Sequence, residues 1–440
     1  MFNESVGITP FVLYRMSRLS FWAMVCMFGV CCQTLDGANV VREARKTIKN
    51  ARYEENGDEA KKVRERLDAA EKSLMDALSG EKKVVKRAEL YYTAALVQCR
   101  LNDIENEKIY LKRAYDTVLY YNSIYNAYKY FEKCDSVELA SDYKGRFKFR
   151  SSARKRLLEH RANLLNGGRF YLRKKNYTEA FRFLDLYLSS AEYPALKSDF
   201  LNQTDTMYSR VAYWIIATGY HIGAYEGVIR YAPMALRYFK NQQYVQEYLC
   251  RSHLALNDTA AWVKELKRGI VNFPDHTYFF TSLQEFLNRK GKYDDALLFA
   301  DRMIQYDPKN ALFWYAKALV YMRKDDYKNC IANCDVVLTL DSMNIEANYF
   351  KGLAYCNMAK ASSDAMKKSE LKSAAYRKYR TEMMTYYALA EEPLEQVRRL
   401  SPDKASRWAP LLYQVYLNQN KGAEFDEMER IIRDIKKPEK

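Results

Sequence analysis

Glycine, proline and histidine are scarce in this chain, which has 15 Gly, 9 Pro and 4 His among 440 residues. Tight turns depend on glycine and proline, and alternating apolar runs of the strand type are also rare, so the composition argues against a β-rich fold. The histidines do not cluster, and no Cys-x-x-Cys pair occurs after residue 32. No metal ion and no cofactor are therefore predicted.

Sequence motifs of catalysis are missing as well. The chain contains no G-x-x-x-x-G-K-S/T phosphate loop, no G-x-S-x-G nucleophile turn and no H-E-x-x-H zinc motif. Because such motifs hold a phosphate, a nucleophile or a metal in place, their absence leaves no residue that stands out as catalytic. We predict that the protein is not an enzyme.

A period of 34 residues runs through the second half of the chain. Blocks start at Ser209, Gln243, Thr277 and Ala311, and a further block starts in phase at Ile345. Within a block, small or apolar residues recur where two antiparallel helices would close on each other, and Gly or Pro recurs where a helix would end. In the block from Ala311 the packing residues are Trp314, Tyr321, Tyr327, Cys330, Cys334 and Val337, and the preceding block is punctuated by Gly291 and Pro308.

This pattern resembles the tetratricopeptide repeat (TPR) family, and in particular exported TPR proteins of the Bacteroidetes. The resemblance implies an all-α fold, an α-solenoid of helix–turn–helix repeats. We predict a signal peptide over 1–32, with Met16 as an alternative start, divergent helical hairpins and a TPR-like repeat over 33–160, and a TPR solenoid over 161–440. The solenoid would contain a charged helical insert at about 362–380 and would end in capping helices.

The N-terminus has the pattern of an export signal. Arg15 and Arg18 precede an apolar run from Leu19 to Cys32, which is too short for a comfortable membrane span. We therefore predict a periplasmic or outer-membrane-associated protein. A lipoprotein anchor is the less favoured alternative, because Val30 and Cys31 are poor matches to the small residue that precedes a lipidated cysteine.

A row of tyrosine and arginine side chains is the main candidate binding site. The formal net charge is +16, which suits an acidic partner. In the TPR family, fixed positions of the first helix of each repeat line a concave groove, and Tyr and Arg are the residues that most often dominate protein recognition. The resemblance places at this groove Arg169, Arg173, Arg210, Tyr213, Tyr244, Arg251, Tyr278, Arg289, Tyr315, Arg323 and Tyr349.

An Asp followed by Ser or Thr and then an apolar residue occurs five times. The triplet is similar to the O-glycosylation acceptor of exported Bacteroidetes proteins, and capping of helix ends by Asp is the alternative explanation. The predicted acceptors are Thr117, Ser136, Thr206, Thr259 and Ser342.

These observations predict a non-enzymatic scaffold of the bacterial cell envelope that binds a protein or peptide, does not bind nucleic acid and associates peripherally with the envelope. One alternative is a surface glycan-capture protein, although this chain has only 5 Trp and few of the long loops of that class. Another is a cytosolic helical-repeat adaptor or RNA-binding protein, whose base code needs polar pairs where this chain has tyrosines and apolar residues. The partner's identity and the oligomeric state stay open.

Overall fold

The computed structural model describes residues 37–81, 83–140, 147–200, 206–238 and 240–435. The predicted signal peptide lies outside these residues. Within them the chain forms nineteen α-helices, two short 3-10 helices and no strand, which confirms the predicted all-α fold. No helix in this part of the chain is long and apolar enough to cross a membrane. The chain divides into two compact units, the first ending at Val245 and the second starting at Gln246.

The N-terminal unit is built of helices that pack against their neighbours in the chain. Its first turn places Asn56 at a helix start, where Asn56 Oδ1 accepts a hydrogen bond from the Asp58 amide at 2.9 Å. Leu67, Leu74 and Leu90 are fully buried between the first three helices. The helices are α1 (Gly37–Asn50), α2 (Gly57–Gly80), α3 (Val84–Tyr110), α4 (Thr117–Ala140), α5 (Arg150–Arg173), α6 (Tyr177–Ser189), α7 (Lys197–Phe200), α8 (Thr206–Ile222) and α9 (Tyr225–Ala235).

Two long helices, α4 and α5, lie around the predicted start of the solenoid at residue 161. Helix α4 packs against α3 on one side and against α5 on the other. Helix α5 starts at Arg150, so the predicted boundary between residues 160 and 161 falls inside it. The repeat pattern predicts only the residues that pack within one repeat. Helix α5 begins before that pattern does, because Ala153 and Leu157 are also buried.

The C-terminal unit is a succession of helical hairpins. From residue 259 onward each helix packs against the next, and from residue 277 onward the first helices of successive hairpins also contact one another, so that these first helices form one face of the unit. Helix α10 (Gln242–Ala255) contains the boundary between the two units. The helices that follow are α11 (Thr259–Asn272), α12 (Thr277–Arg289), α13 (Tyr293–Tyr306), α14 (Ala311–Arg323), α15 (Tyr327–Leu340), α16 (Ile345–Lys367), α17 (Ala374–Leu400), α18 (Ala405–Gln419) and α19 (Gly422–Ile435).

The 34-residue period is visible in the backbone of the turns. The residue two before each second helix has a positive φ, of 77° at Gly223, 60° at Asn257, 66° at Gly291 and 57° at Asp325. These positions are 34 residues apart. Glycine adopts this left-handed conformation without steric cost, and Asn and Asp tolerate it better than most residues. The turn chemistry therefore repeats even where the residue type changes.

The charged insert lengthens both helices of one hairpin. Helices α16 and α17 have 23 and 27 residues, whereas α14 and α15 of the preceding hairpin have 13 and 14. The turn between α16 and α17 lies at residues 368–373, where Lys372 has a φ of 62°. The insert is thus shared between the C-terminal part of α16 and the N-terminal part of α17. The rest of the two helices packs in the register of a repeat.

A glycine–leucine contact shows that this register survives the insertion. A Cβ on Gly168 of α5 would lie 2.5 Å from Cδ2 of Leu184 on α6, and a Cβ on Gly352 of α16 would lie 2.6 Å from Cγ of Leu394 on α17. Both glycines occupy the eighth position of a repeat, and both leucines occupy the twenty-fourth. In these two repeats the helices approach so closely at this point that only glycine fits without a shift.

The cysteines of the described residues are all buried and free. Burial raises the pKa of the Cys99, Cys250 and Cys356 thiols to about 12. Cys330 and Cys334 are fully buried on α15 between the helices of their hairpin. These thiols fill space as small apolar side chains, which explains their place in the packing pattern.

Candidate functional site

The predicted groove residues of the N-terminal unit lie on the first helices of their hairpins. Arg169 and Arg173 are exposed near the end of α5. On α8, Tyr213 lies 6.1 Å from the Tyr238 ring, and its hydroxyl accepts a hydrogen bond from Asn241 Nδ2 at 3.4 Å. The Arg210 guanidinium lies 5.9 Å from the same Tyr238 ring.

Tyr244, which the boundary between the units assigns to the N-terminal unit, is 45% exposed on α10. The N-terminal unit therefore presents exposed arginines on α5 and α8 and a tyrosine cluster on α8, but its predicted residues do not converge on one cavity.

In the C-terminal unit, Arg251 and Tyr278 form a cluster whose polar groups are satisfied within the protein. The Arg251 guanidinium lies 4.5 Å from the Tyr278 ring, and its Nε donates to Glu247 Oε1 at 2.7 Å. The other Glu247 oxygen lies 2.7 Å from His276 Nε2. Burial raises the pKa of Tyr278. This cluster ties α10 to α12, so its arginine is less available to a ligand than the sequence pattern indicates.

Tyr315 and Tyr349 belong to a second closed cluster. Arg407 of α18 donates two hydrogen bonds to the Glu346 carboxylate, at 2.6 and 2.9 Å, and its guanidinium lies 4.1 Å from the Tyr349 ring. The Tyr315 hydroxyl donates to the same carboxylate at 3.5 Å. The hydrogen bonds from Arg407 hold the pKa of Glu346 below its usual range. The carboxylate joins three successive first helices, α14, α16 and α18.

A cavity of 340 Å³ opens between α12 and α14. Its apolar wall consists of Phe280, Leu312, Ala316 and Leu319, and Tyr315 also lines the cavity. Its polar lining consists of Thr281, Gln284, Glu285, Asn288, Arg289 and Arg323. The predicted residues Arg289, Tyr315 and Arg323 thus meet at one site, which we call the α12/α14 cavity.

Two oxygen atoms of this lining are buried without a hydrogen-bond partner. They are Gln284 Oε1 and Asn288 Oδ1. The Gln284 amide is oriented by its Nε2, which donates to the Ala296 carbonyl at 2.7 Å, so the oxygen is left over. A buried acceptor without a donor costs about 1–3 kcal/mol, and a ligand that brings an N–H or O–H group would remove that cost.

Sequence reasoning omitted Gln284 from the site, although a signal for it was present. Gln284 stands at the eighth position of its repeat, where Ala318 and Gly352 stand in the next two repeats and the resemblance implies a small residue. A glutamine at a closely packed position needs a hydrogen-bond partner on the other helix of the hairpin. When its amide nitrogen makes that bond, its amide oxygen is directed away from it. This departure from the repeat pattern therefore marks the cavity.

The charges around the cavity are partly compensated. Arg289 Nε lies 3.7 Å from Glu285 Oε1 on the same helix, and both side chains are exposed, so this pair contributes little to stability. Arg323 is exposed at the end of α14 and forms no ion pair within the described residues. The cavity therefore presents one uncompensated positive charge beside an apolar wall.

In three of the five Asp-Ser/Thr triplets, the aspartate lies at a helix end and accepts a hydrogen bond from a nearby backbone amide. Asp116 and Asp258 accept hydrogen bonds from the amides of Leu119 and Ala261, at 2.9 and 3.0 Å, and so cap α4 and α11. Asp341 ends α15 and accepts from the Met343 amide at 3.3 Å. Capping accounts for these aspartates.

Of the predicted acceptors, Ser136, Thr259 and Ser342 are exposed and Thr117 is half-buried. Thr206 is the first residue of α8, and its side chain lies outside the described part of the structure. Glycosylation of these hydroxyls stays a prediction.

Comparison with known proteins finds helical-repeat relatives. Residues 289–365, under a fifth of the chain, match the family described as anaphase-promoting complex, cyclosome, subunit 3. No curated protein matches the chain.

Among solved structures, the C-terminal part of a TPR repeat-containing protein from Cytophaga hutchinsonii is 12% identical, with a TM-score of 0.41, and the alignment covers 62% of this chain and 95% of that one. A tetratricopeptide repeat protein from Parabacteroides merdae is 13% identical, with a TM-score of 0.33 and coverage of 61% and 97%. YrrB, described as a TPR protein with an unusual peptide-binding site, is 16% identical, with a TM-score of 0.31 and coverage of 45% and 95%.

The fold itself carries the assignment of the repeats. Second helices begin at Tyr225, Thr259, Tyr293 and Tyr327, at a constant interval of 34 residues. Each of them follows the first helix of its hairpin in the chain. The glycine–leucine contact recurs at the eighth and twenty-fourth positions. Together with the family match over residues 289–365, these features identify the repeats of this chain as tetratricopeptide repeats.

Proposed function

We propose that this protein is a non-enzymatic scaffold that holds an extended segment of a partner protein on the face formed by its first helices, with the α12/α14 cavity as the anchor point. The observation that carries this proposal is the pair of buried, unpartnered oxygens, Gln284 Oε1 and Asn288 Oδ1, beside an apolar wall. Such an arrangement of a few polar atoms in an apolar recess is typical of a binding site.

The chemistry of the cavity defines the ligand segment. A volume of 340 Å³ lies within the range of roughly 300–1,000 Å³ that ligand pockets occupy. An apolar side chain would pack against Leu312, Ala316 and Leu319, while main-chain N–H groups of the segment would donate to Gln284 and Asn288. A carboxylate in the segment would approach Arg323 and Arg289. We therefore expect a peptide with an apolar residue next to Asp or Glu.

Selection from a random peptide library on the immobilised full chain, followed by fluorescence anisotropy with the selected peptides, tests this site. Gln284→Met removes the free oxygen at nearly constant volume and should weaken binding about tenfold, the equivalent of one hydrogen bond. Arg323→Glu should weaken most the peptides that contain a carboxylate.

Lys328→Glu is the matched control, because it makes the same charge change at an exposed position of α15, a second helix. It should leave the affinity unchanged. Circular dichroism checks that the variants remain folded. If Gln284→Met and Arg323→Glu bind the selected peptides as well as the wild type, the α12/α14 cavity is not the binding site.

The location that we propose is the cell envelope, on the basis of the apolar run from Leu19 to Cys32 and the arginines before it. N-terminal sequencing of the protein purified from its own cells should give a start near Gln33, and intact-mass measurement of the same sample would reveal glycans at the predicted acceptors. An intact 19–32 segment on a protein recovered from the cytosol would contradict export.

A further inference from the structure

The α16/α17 hairpin projects past the helices on both sides of it. Asn357 Nδ2 of α16 lies 4.0 Å from the Met322 sulfur, one residue before the end of α14. Gln419 Nε2, at the end of α18, donates to the Tyr387 carbonyl of α17 at 3.2 Å. Residues 358–386 therefore extend beyond both neighbours. At 1.5 Å per residue, α16 alone is about 15 Å longer than α14.

The projecting segment is a packed hairpin with its own interior. Ala359 and Ser362 of α16 and Met383 of α17 are buried, and Met366 packs against the same cluster. Ser373 caps α17 by accepting a hydrogen bond from the Tyr376 amide at 3.0 Å. The tip is consequently held in place by side-chain packing and a capped turn, so its exposed side chains form a defined surface.

That surface is strongly basic. Residues 358–386 contain seven basic and three acidic side chains. The basic residues are all exposed, and two of them pair weakly with acids of the same helix, Lys367 with Asp364 at 3.6 Å and Lys378 with Glu382 at 4.0 Å. The remaining basic side chains form no ion pair within the described residues and are Lys360, Lys368, Lys372, Arg377 and Arg380.

An apolar side chain stands at the apex of this basic surface. Leu371 lies in the turn, is 70% exposed and has Lys372 beside it. Tyr376 and Tyr379 follow at half-buried positions, each next to an arginine of the first turns of α17. A leucine in this position gains little from the protein's own core, so it is available for contact with another apolar medium.

We propose that the tip of the α16/α17 hairpin, residues 367–380, binds the surface of a lipid bilayer that carries anionic headgroups. Each lysine or arginine near such a surface is attracted to it, while Leu371 would enter the boundary between headgroups and acyl chains and the tyrosines would lie at the headgroup level. A convex tip with an apolar apex and basic flanks suits a flat, deformable surface. An acidic protein would have to provide a recess for the leucine and carboxylates around the tip, so the bilayer is the simpler partner.

Co-sedimentation of the full chain with phosphatidylcholine vesicles, with and without phosphatidylglycerol, tests this proposal. The wild type should bind only the vesicles that contain phosphatidylglycerol and should dissociate in high salt. The triple variant Lys368→Gln, Lys372→Gln, Arg377→Gln should lower the partition coefficient on the order of a hundredfold, because each charge contributes about fivefold. Leu371→Ser should weaken binding by the same factor at each salt concentration at which the wild type still binds, since the apolar contact is not screened by salt.

The matched control is the triple variant Lys290→Gln, Lys292→Gln, Lys309→Gln, which removes three exposed lysines from turns of the same unit. It should bind as the wild type does. Equal loss in both triple variants would show that net charge alone acts and would overturn the proposal. The proposal would also be overturned if the wild type did not bind phosphatidylglycerol vesicles but bound a polyglutamate peptide through the tip. That result would indicate an acidic protein as the partner of the tip. Peptide binding at the α12/α14 cavity is measured separately and does not depend on either result.

Discussion

Replacing Gly352 by alanine probes the closest approach between the two helices of the extended hairpin. The added Cβ would lie 2.6 Å from Leu394 Cγ and 2.7 Å from Leu394 Cδ2, whereas non-bonded carbons prefer about 3.5–4.0 Å. The helices or the leucine would have to separate by about 1 Å. Leu394 is fully buried, and because the clash involves its Cγ atom, a rotation of the terminal methyl groups cannot relieve it.

The expected cost follows from two opposing effects. Overpacking of a core costs typically about 1–3 kcal/mol, and the rigidity of this contact places Gly352→Ala near the upper end. Alanine regains about 1 kcal/mol of helix propensity over glycine. We therefore expect a net loss of about 2 kcal/mol in the free energy of unfolding, measured by urea denaturation with far-ultraviolet circular dichroism. Hydrogen exchange should localise the loss to α16, α17 and α18, because repeat proteins are stabilised by interfaces between neighbours.

Two further variants make the result specific to the contact. Leu394→Ala alone should cost about 2–5 kcal/mol through the cavity that it leaves. In the Gly352→Ala background it should cost about 1–2 kcal/mol less, because the clashing atoms are gone. Gly422→Ala is the control, since nothing lies within 4 Å of the Cβ position there, and it should be neutral or slightly stabilising. A Gly352→Ala protein as stable as the wild type, or additive costs in the double variant, would refute the close approach.

Two other predictions follow from buried or paired groups. Arg407→Gln should destabilise the chain by about 1 kcal/mol at pH 7, allowing for partial exposure of the pair. Because the pKa of Glu346 is lowered in the folded state, this contribution is present above the usual glutamate pKa and is lost as the pH falls through the folded-state pKa. The free energies of unfolding of wild type and variant should therefore converge in acid unfolding titrations. A constant difference between them down to low pH would contradict the role of Glu346. Burial and a pKa of about 12 should keep the thiols of Cys99, Cys250 and Cys356 unreactive toward iodoacetamide at pH 8 until urea is added. Mass spectrometry measures the alkylation. Rapid alkylation of Cys250 in the native chain would contradict its burial.

The arrangement of the proposed binding surface could be predicted from the sequence only in part. The repeat register correctly placed Arg289, Tyr315 and Arg323 on first helices, and the structure brings them to one cavity. It could not show that Tyr278 and His276 enclose the Glu247–Arg251 pair of α10, because that depends on how one turn of α10 meets α12. Nor could it show that Gln284 Oε1 is left without a donor, since this follows from the hydrogen bond of the same amide to Ala296.

What the sequence by itself determined is the repeating unit. The left-handed residues at Gly223, Asn257, Gly291 and Asp325 act within one hairpin, so they recur with the period and can be found by counting. Only the tertiary structure decided which side chains of different hairpins form hydrogen bonds or ion pairs with one another. Glu346 and Arg407 are 61 residues apart, and no period links them. Their pairing depends on the stacking of α16 against α18, and so does the engagement of Tyr315 and Tyr349. Which polar groups of the first-helix face remain free for a partner is therefore decided by distances between hairpins, and these appear only when the hairpins are packed together.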